Sequence, residues 1–312
     1  MKVGITLPQV GEMATRENVI ELAKASEMER IDSLWVLDRL LYPLSPQTLY
    51  RGTQNGTLPP SAQNVFDPIE LLTFTAANTK NIALGTSVVD MLFHNPVILA
   101  KRFASLDVLS GGRLICGLGI GWSKDEYQAC NVPFKQRGKR AIEFVEVLKK
   151  IWVDDIVEFK GQFYNIPASK VGPKPIQKPH PPIYLGAWYP QAFIRVVKSD
   201  VNGWLASMGV GVQSLEYLQN NMKILRDQVC KANRTNKNFR VIVLTYPQTE
   251  FRSSSAGERI PFTGSIDQIG TDVQKVKEMG IDHIIFCYLF SIENKDTRKA
   301  VYLTKRLSEF IR

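Results

Sequence analysis

HNPVILAKRFASLDVLSGGRLICGLGIGW, residues 94–122, holds in one run the pieces that decide the fold. Asn95-Pro96 has the form of a helix start, a capping side chain followed by proline at the first helical position. A largely apolar run continues to Leu109, Ser110-Gly111-Gly112 breaks it, and RLICGLG (113–119) then reads as a short buried strand. The stretch ends in glycines at 117, 119 and 121. A dinucleotide fingerprint needs G-x-G-x-x-G between strand and helix, with an acidic residue about twenty positions further on. GLGIGW has G-x-G-x-G instead, and no second βαβ half surrounds it. Two readings of these glycines stay open: a tight turn at the strand end, or bare backbone that a flat ring system or a phosphate can approach.

The same grammar repeats along the chain. Strands are expected at 3–8, 33–37, 82–89, 113–119, 183–187, 202–207, 240–246 and 283–288, alternating with longer amphipathic stretches. Helices follow at 15–29, from Asp67-Pro68-Ile69-Glu70, from Asn95-Pro96, over 137–152, after the Ser265-x-x-Gln268 cap and over 296–311. Eightfold βα alternation predicts one (β/α)8 TIM barrel spanning residues 1–312. Three long connections interrupt the rhythm, at about 39–66, 155–182 and 247–264. The first and third follow strands and so belong to the C-terminal face, where barrel enzymes carry their chemistry. The second contains EFKGQFYNIP, a small hairpin, and a proline-rich return before strand five.

Composition narrows the function. The chain has 39 basic and 30 acidic residues, a net charge of +9, but the basic residues are scattered rather than clustered, which argues against nucleic acid. Cysteines at 116, 130, 230 and 287 form no C-x-x-C pair, as expected for reduced thiols in a cytoplasmic protein. No long apolar run suggests a leader or a membrane span. His94, His180 and His283 show no ligand spacing, so no metal site is expected. Trp35 reads as barrel core; Tyr42, Tyr50 and Phe66 either roof a pocket or anchor their loop; Arg137 and Arg140 open the fourth helix, where they can reach a ligand, with a solvated face the expectation.

The run from Pro96 to Trp122, with LDVLSGGRL at its centre, resembles the luciferase-like monooxygenase superfamily, as do DSLWVLDRL (32–40), LGTSV (84–88), GPKPIQKPHPPIYLGA (172–187) and NGWLAS (202–207). DRLLYP, LGTSV with HNP, and GWSKDEY resemble its deazaflavin-dependent branch. The resemblance implies a TIM barrel holding coenzyme F420, or alternatively FMN, at its C-terminal mouth. It places Asp38 and Arg39 by the reactive edge of the ring, where the branch commonly has Asp-His. It puts Ser87 and Val88 behind the central ring, at a bulge with a cis peptide bond between them. His94 falls next to that bulge, where it either contacts the cofactor or makes a structural hydrogen bond. Gly119, Ile120, Gly121 and Trp122 lie under the cofactor, with Trp122 where some members carry a carboxylate. Gly186, Ala187 and Trp188 would offer backbone N–H groups to a phosphate at a helix N-terminus. Arg39 departs from the pattern in a way that matters, because a guanidinium cannot exchange protons near neutral pH.

The function this implies is hydride transfer between F420 and a small organic substrate by a homodimeric enzyme. The alternatives are an FMN-dependent monooxygenase or flavin reductase, and a barrel that binds a flavin without turnover.

Overall fold

The computed structural model describes residues 1–53, 55–208, 214–232, 239–249, 259–290 and 296–311. Eight parallel strands close into a barrel: β1 (Lys2–Thr6), β2 (Ser33–Val36), β3 (Ala83–Thr86), β4 (Leu114–Gly119), β5 (Ile183–Gly186), β6 (Gly203–Ser207), β7 (Arg240–Thr245) and β8 (His283–Phe286). Each pairs with its sequence neighbours. The ring shuts where β1 meets β8, Lys2 opposite His283, and β3 meets β4, Leu84 opposite Leu114. An extra two-residue strand, Val89–Asp90, pairs with the end of β4 outside the regular ring. The fold expected from the alternating pattern is thus the one observed, with strand three broken after Thr86 rather than continuous to residue 89.

Around the barrel lie α1 (Arg16–Met28), α2 (Pro68–Asn78), α3 (Pro96–Leu109), α4 (Lys124–Ala129), α5 (Arg137–Val153), α6 (Phe193–Lys198), α7 (Leu215–Lys231), α8 (Ile266–Glu278) and α9 (Thr297–Glu309). Their starts follow the expected capping chemistry. Asp67 accepts from the backbone of Ile69 at 2.9 Å and Asn95 from that of Val97 at 2.9 Å, each ahead of a proline. Ser265 and Gln268 form a reciprocal capping box. Helix α4 was not expected, and α6 is only six residues long. None of the described helices is long and apolar enough to cross a membrane.

The LDVLSGGRL run is structural. Gly111 and Gly112 take left-handed φ values of 69° and 80°, which turn the chain from α3 into β4. Arg113 then donates to the carbonyls of Ala76, Thr79, Ile82 and Ser110, between 2.6 and 3.2 Å. Asp107 accepts from the backbone and side chain of Gln177, tying the proline-rich return to α3. The hairpin is present as Val157–Lys160 paired with Asn165–Ser169, its turn held by Glu143. Residues 250–258 of the third long connection lie outside the described residues.

Inside the barrel, Trp35 is fully buried and its indole N–H donates to Ser33, which in turn meets His283 at 2.8 Å. Burial pushes the His283 pKa down to about 3, so that ring is neutral and structural. His180 bonds the neighbouring Pro181 carbonyl and is likewise structural.

Gly117 is the tightest point of the ring. A Cβ there would sit 1.8 Å from the Thr86 carbonyl oxygen. Gly117→Ala should therefore lower stability by about 1–3 kcal/mol, the usual range for overpacking a rigid core, read as a lower urea midpoint at unchanged slope.

Candidate active site

A cavity of about 440 Å³ opens at the C-terminal ends of the strands. Asp38, Arg39, Ser87, Val88, Gly119, Ile120, Gly121, Trp122, Gly186, Ala187 and Trp188 all line it. His94 does not: its Nε2 lies 3.9 Å from Asp38. Tyr50 lines the cavity, whereas the Tyr42 hydroxyl bonds the Leu58 carbonyl and anchors the loop.

The wall is built around the turn after β3. The Ser87–Val88 peptide bond is cis, as the resemblance implies, and the Ser87 N–H is held by the Val36 carbonyl at 2.7 Å. Val88 then occupies space that a β-carbon on β4 would need, and crowds the place of one on β5. A Cβ on Gly119 would lie 2.4 Å from Val88 Cγ2 and 2.7 Å from Asp90 Oδ1. On Gly186 it would lie 3.3 Å from Val88 Cγ1. Gly121 has φ +70°, and a Cβ there would press on Phe93. The glycines that the sequence reading assigned to an approaching ring or phosphate thus first admit the chain's own Val88 and Asp90.

Above β2 the side chain of Arg39 meets α4. Ser123 caps that helix, and Glu126 projects from it, fully buried, to within 2.8 Å of the Arg39 guanidinium. The two charged atoms are in contact as an ion pair without hydrogen-bond alignment. Glu126 also accepts from the backbone of Leu40 at 2.9 Å, and neighbouring Asp125 accepts from Gln47 at 3.1 Å. Helix α4 therefore anchors the long loop after β2. The Arg39 guanidinium stacks on Trp122, 5.0 Å from its ring centre, and Tyr50 meets the same indole at 5.5 Å. Burial raises the Glu126 pKa, while Arg39 and the Leu40 and Leu41 amides pull the other way.

Arg137 at the start of α5 and Arg195 in α6 line one end of the cavity. The Nε of Arg137 is buried with no hydrogen-bond partner, and its guanidinium lies 3.9 Å from the Phe134 ring centre. Burial first, and the Arg137 charge second, hold the Arg195 pKa below its usual value. Among the described residues neither arginine has a carboxylate within ion-pair distance. The expectation of a solvated face at Arg137 is corrected: it is half-buried and turned to the cavity. Nearby, Gly186 still pairs within the sheet opposite Leu205, and Ala187 and Trp188 follow the strand end. Because α6 is so short, the positive end of this cavity comes from guanidinium groups rather than from a helix terminus. Among the described residues no group of three potential metal ligands occurs.

The sequence profile described as luciferase-like monooxygenase matches residues 1–282. The chain belongs to that family. A curated relative in Mycobacterium tuberculosis (strain ATCC 25618 / H37Rv), described only as uncharacterized, is 32% identical over 219 residues, 69% of this chain and 73% of its own length. The F420-dependent glucose-6-phosphate dehydrogenase of Amycolatopsis mediterranei is 28% identical over 214 residues, 66% of this chain and 59% of that one. The FMNH(2)-dependent dimethylsulfone monooxygenase of Pseudomonas putida is 34% identical over 125 residues, 39% of this chain and 34% of that one. In fold, the chain is similar to an F420-dependent secondary alcohol dehydrogenase solved with an F420–acetone adduct, with TM-score 0.78 and 16% identity over 100% of this chain and 99% of that one.

Within this luciferase-like barrel, sequence reasoning missed Asp90, Arg195, Tyr246 and Cys287, all of which line the cavity. Leu244, Tyr246 and Cys287 sit where β7 and β8 end, a position the strand assignments themselves could have flagged. The Arg39–Glu126 pair gives a direct test. Arg39 is 9% exposed and Glu126 not at all, so Glu126→Gln strands a buried guanidinium. Chemical denaturation should show a loss of about 3 kcal/mol, whereas an exposed pair would cost less than about 1 kcal/mol.

Proposed function

We propose that this luciferase-like barrel is an oxidoreductase that binds coenzyme F420 in its mouth cavity and catalyses hydride transfer between that cofactor and a small organic substrate. The observation that carries the reading is the unpaired Arg137–Arg195 couple at one end of an otherwise largely apolar cavity. A planar cofactor with a phosphate-bearing tail fits that division, and the buried, unsatisfied Arg137 Nε is the donor such a phosphate would meet. Arg137, Arg195 and the backbone after Gly186 would hold the tail. Val88 and the Gly119–Trp122 segment would seat the ring, beside Asp38. A deazaflavin bound there supplies two-electron hydride chemistry.

The rest is positioning. Leu37, Leu58, Val65, Leu289 and Phe290 give the substrate an apolar, water-poor chamber. Arg39, engaged by Glu126 and Trp122, enters as a fixed positive charge that moves no proton. Four cysteines without a C-x-x-C pair fit a cytoplasmic setting, and a homodimer, testable by light scattering, completes the reading.

FMN is the second reading, supported by the relationship to an FMNH(2)-dependent monooxygenase. Binding titrations separate the two: F420 should bind more tightly than FMN and lose affinity as salt is raised. Micromolar FMN binding with no F420 binding overturns the choice of cofactor. Arg137→Gln and Arg195→Gln should each weaken cofactor binding by about 10–100-fold, the loss of one charge-assisted contact. Arg140→Gln, which removes a bond to the Pro133 carbonyl, should leave affinity nearly unchanged.

A further inference from the structure

Three carboxyl groups, Asp38, Asp90 and Glu126, crowd beside the single guanidinium of Arg39 at the cavity wall. The cation is already committed, because Arg39 lies against Glu126, which also collects the Leu40 and Leu41 amides. Asp38 accepts the backbone N–H of Asp90 at 3.0 Å and has His94 at 3.9 Å. Asp90 is left with least. Its Oδ1 accepts from the Gly121 N–H at 2.9 Å, and its Oδ2 has no hydrogen-bond partner among the described residues. It is 8% exposed and lines the cavity.

We propose that Asp90 is held as the neutral acid and presents an O–H donor into the mouth cavity, beside the Ser87–Val88 turn. Two adjacent ionised carboxylates in a poorly solvated wall are unfavourable, and one proton relieves the repulsion. Asp90 is the member that takes it: Asp38 and Asp90 each accept one backbone N–H, but Asp38 also has His94 at 3.9 Å and Glu126 has Arg39, whereas Asp90 has neither. Burial and then the Asp38 charge push its pKa well above the carboxylate range, with Arg39 and the Gly121 amide opposing and Glu126 adding to the rise. Tyr127 on α4 remains a neutral phenol, its own pKa pushed beyond the physiological range by burial. The alternatives are poor donors of an exchangeable proton near neutral pH. A guanidinium and an indole exchange no proton there, and burial raises Tyr50, Tyr246 and Cys287, the last to about 11. A ring carbonyl or nitrogen approaching this wall meets a donor, where an ionised aspartate would repel it. That last step rests on the cofactor reading; the proton on Asp90 does not.

The test separates the two. Infrared difference spectra of the ligand-free protein, wild type minus Asp90→Asn, should contain a carboxylic-acid carbonyl band at neutral pH. Its absence overturns the proposal. The sign of the linkage gives a second ligand-free readout. A carboxyl with a raised folded pKa favours folding below the unfolded value of about 3.9 and loses that advantage as pH rises through the folded value. Wild-type stability should fall relative to Asp90→Asn over that interval; parallel profiles overturn the proposal. In titrations with F420 and with FMN, wild-type affinity should drop about tenfold per pH unit above the Asp90 pKa and stay flat in Asp90→Asn. Asp38→Asn, which removes the repelling charge, should move both the band and that drop to lower pH. If that variant instead leaves them in place, or raises them, the assignment to Asp90 fails. Should neither cofactor bind the wild type, the cofactor reading falls while the infrared band still decides the proton.

Discussion

The close approach of β3 to β4 governs the site. The Thr86 carbonyl can come in only because Gly117 has no side chain, and Val88 and Asp90 can turn toward the mouth only because Gly119 has none. Thr86 reinforces the contact, its hydroxyl donating to the Gly117 carbonyl at 2.7 Å and accepting the Gly117 N–H at 2.9 Å. Every feature of the wall follows from this squeeze. Strand β3 stops early, the chain turns at Ser87 and Val88, and Asp90 lands against the backbone of Gly121 and the carboxylate of Asp38. Glycines on a strand are destabilising unless something needs the space. Here the neighbouring strand β3 and the turn that follows it need it.

A second constraint fixes the roof. The loop after β2 is long and poor in regular structure, yet it is pinned at several points. Gln9, fully buried, bonds both the N–H and C=O of Leu37 as well as the Phe66 carbonyl. Asp125 and Glu126 hold the backbone at Gln47 and Leu40. The Arg39–Trp122–Tyr50 stack then joins the roof to the end of β4. A buried ion pair contributes little net stability against an apolar substitute. What it supplies is position, because the guanidinium, the indole and the loop can only sit together in one arrangement.

The barrel was legible because its signals are local. Apolar runs, prolines after capping residues and the Ser265–Gln268 box each declare themselves within a few positions. Most of the wall was legible too, through the resemblance carried by LGTSV and GLGIGW. What escaped depends on distant partners. Asp90 is one acidic residue in an apolar run until folding sets Asp38 and Glu126 beside it. Arg137 opens an amphipathic helix and looks solvated; only the packing of α5 beside α6 turns it toward Arg195 and the cavity. Helix α4 is six residues long, too short for a helical period to show. The reverse also held for the glycines: their positions were visible, but not that Thr86 and Val88 would fill the space.

Arg39 and Trp122 change what the mouth can do. A histidine and a carboxylate at those positions would bring two titrating groups to the ring edge. A guanidinium locked between Glu126 and an indole brings none. On the proposed reading, Arg39 and Trp122 then bind and orient rather than move protons, and the one wall proton rests with Asp90, which suits a reaction whose electrons travel as hydride on a cofactor. Such a site does not need a general base poised near neutral pH. It needs one end that grips an anion, a rigid wall for a flat ring, and an apolar space opposite. On the proposed reading, the Arg137–Arg195 couple, the Val88 turn and the Leu58–Val65 roof would provide those three in one cavity.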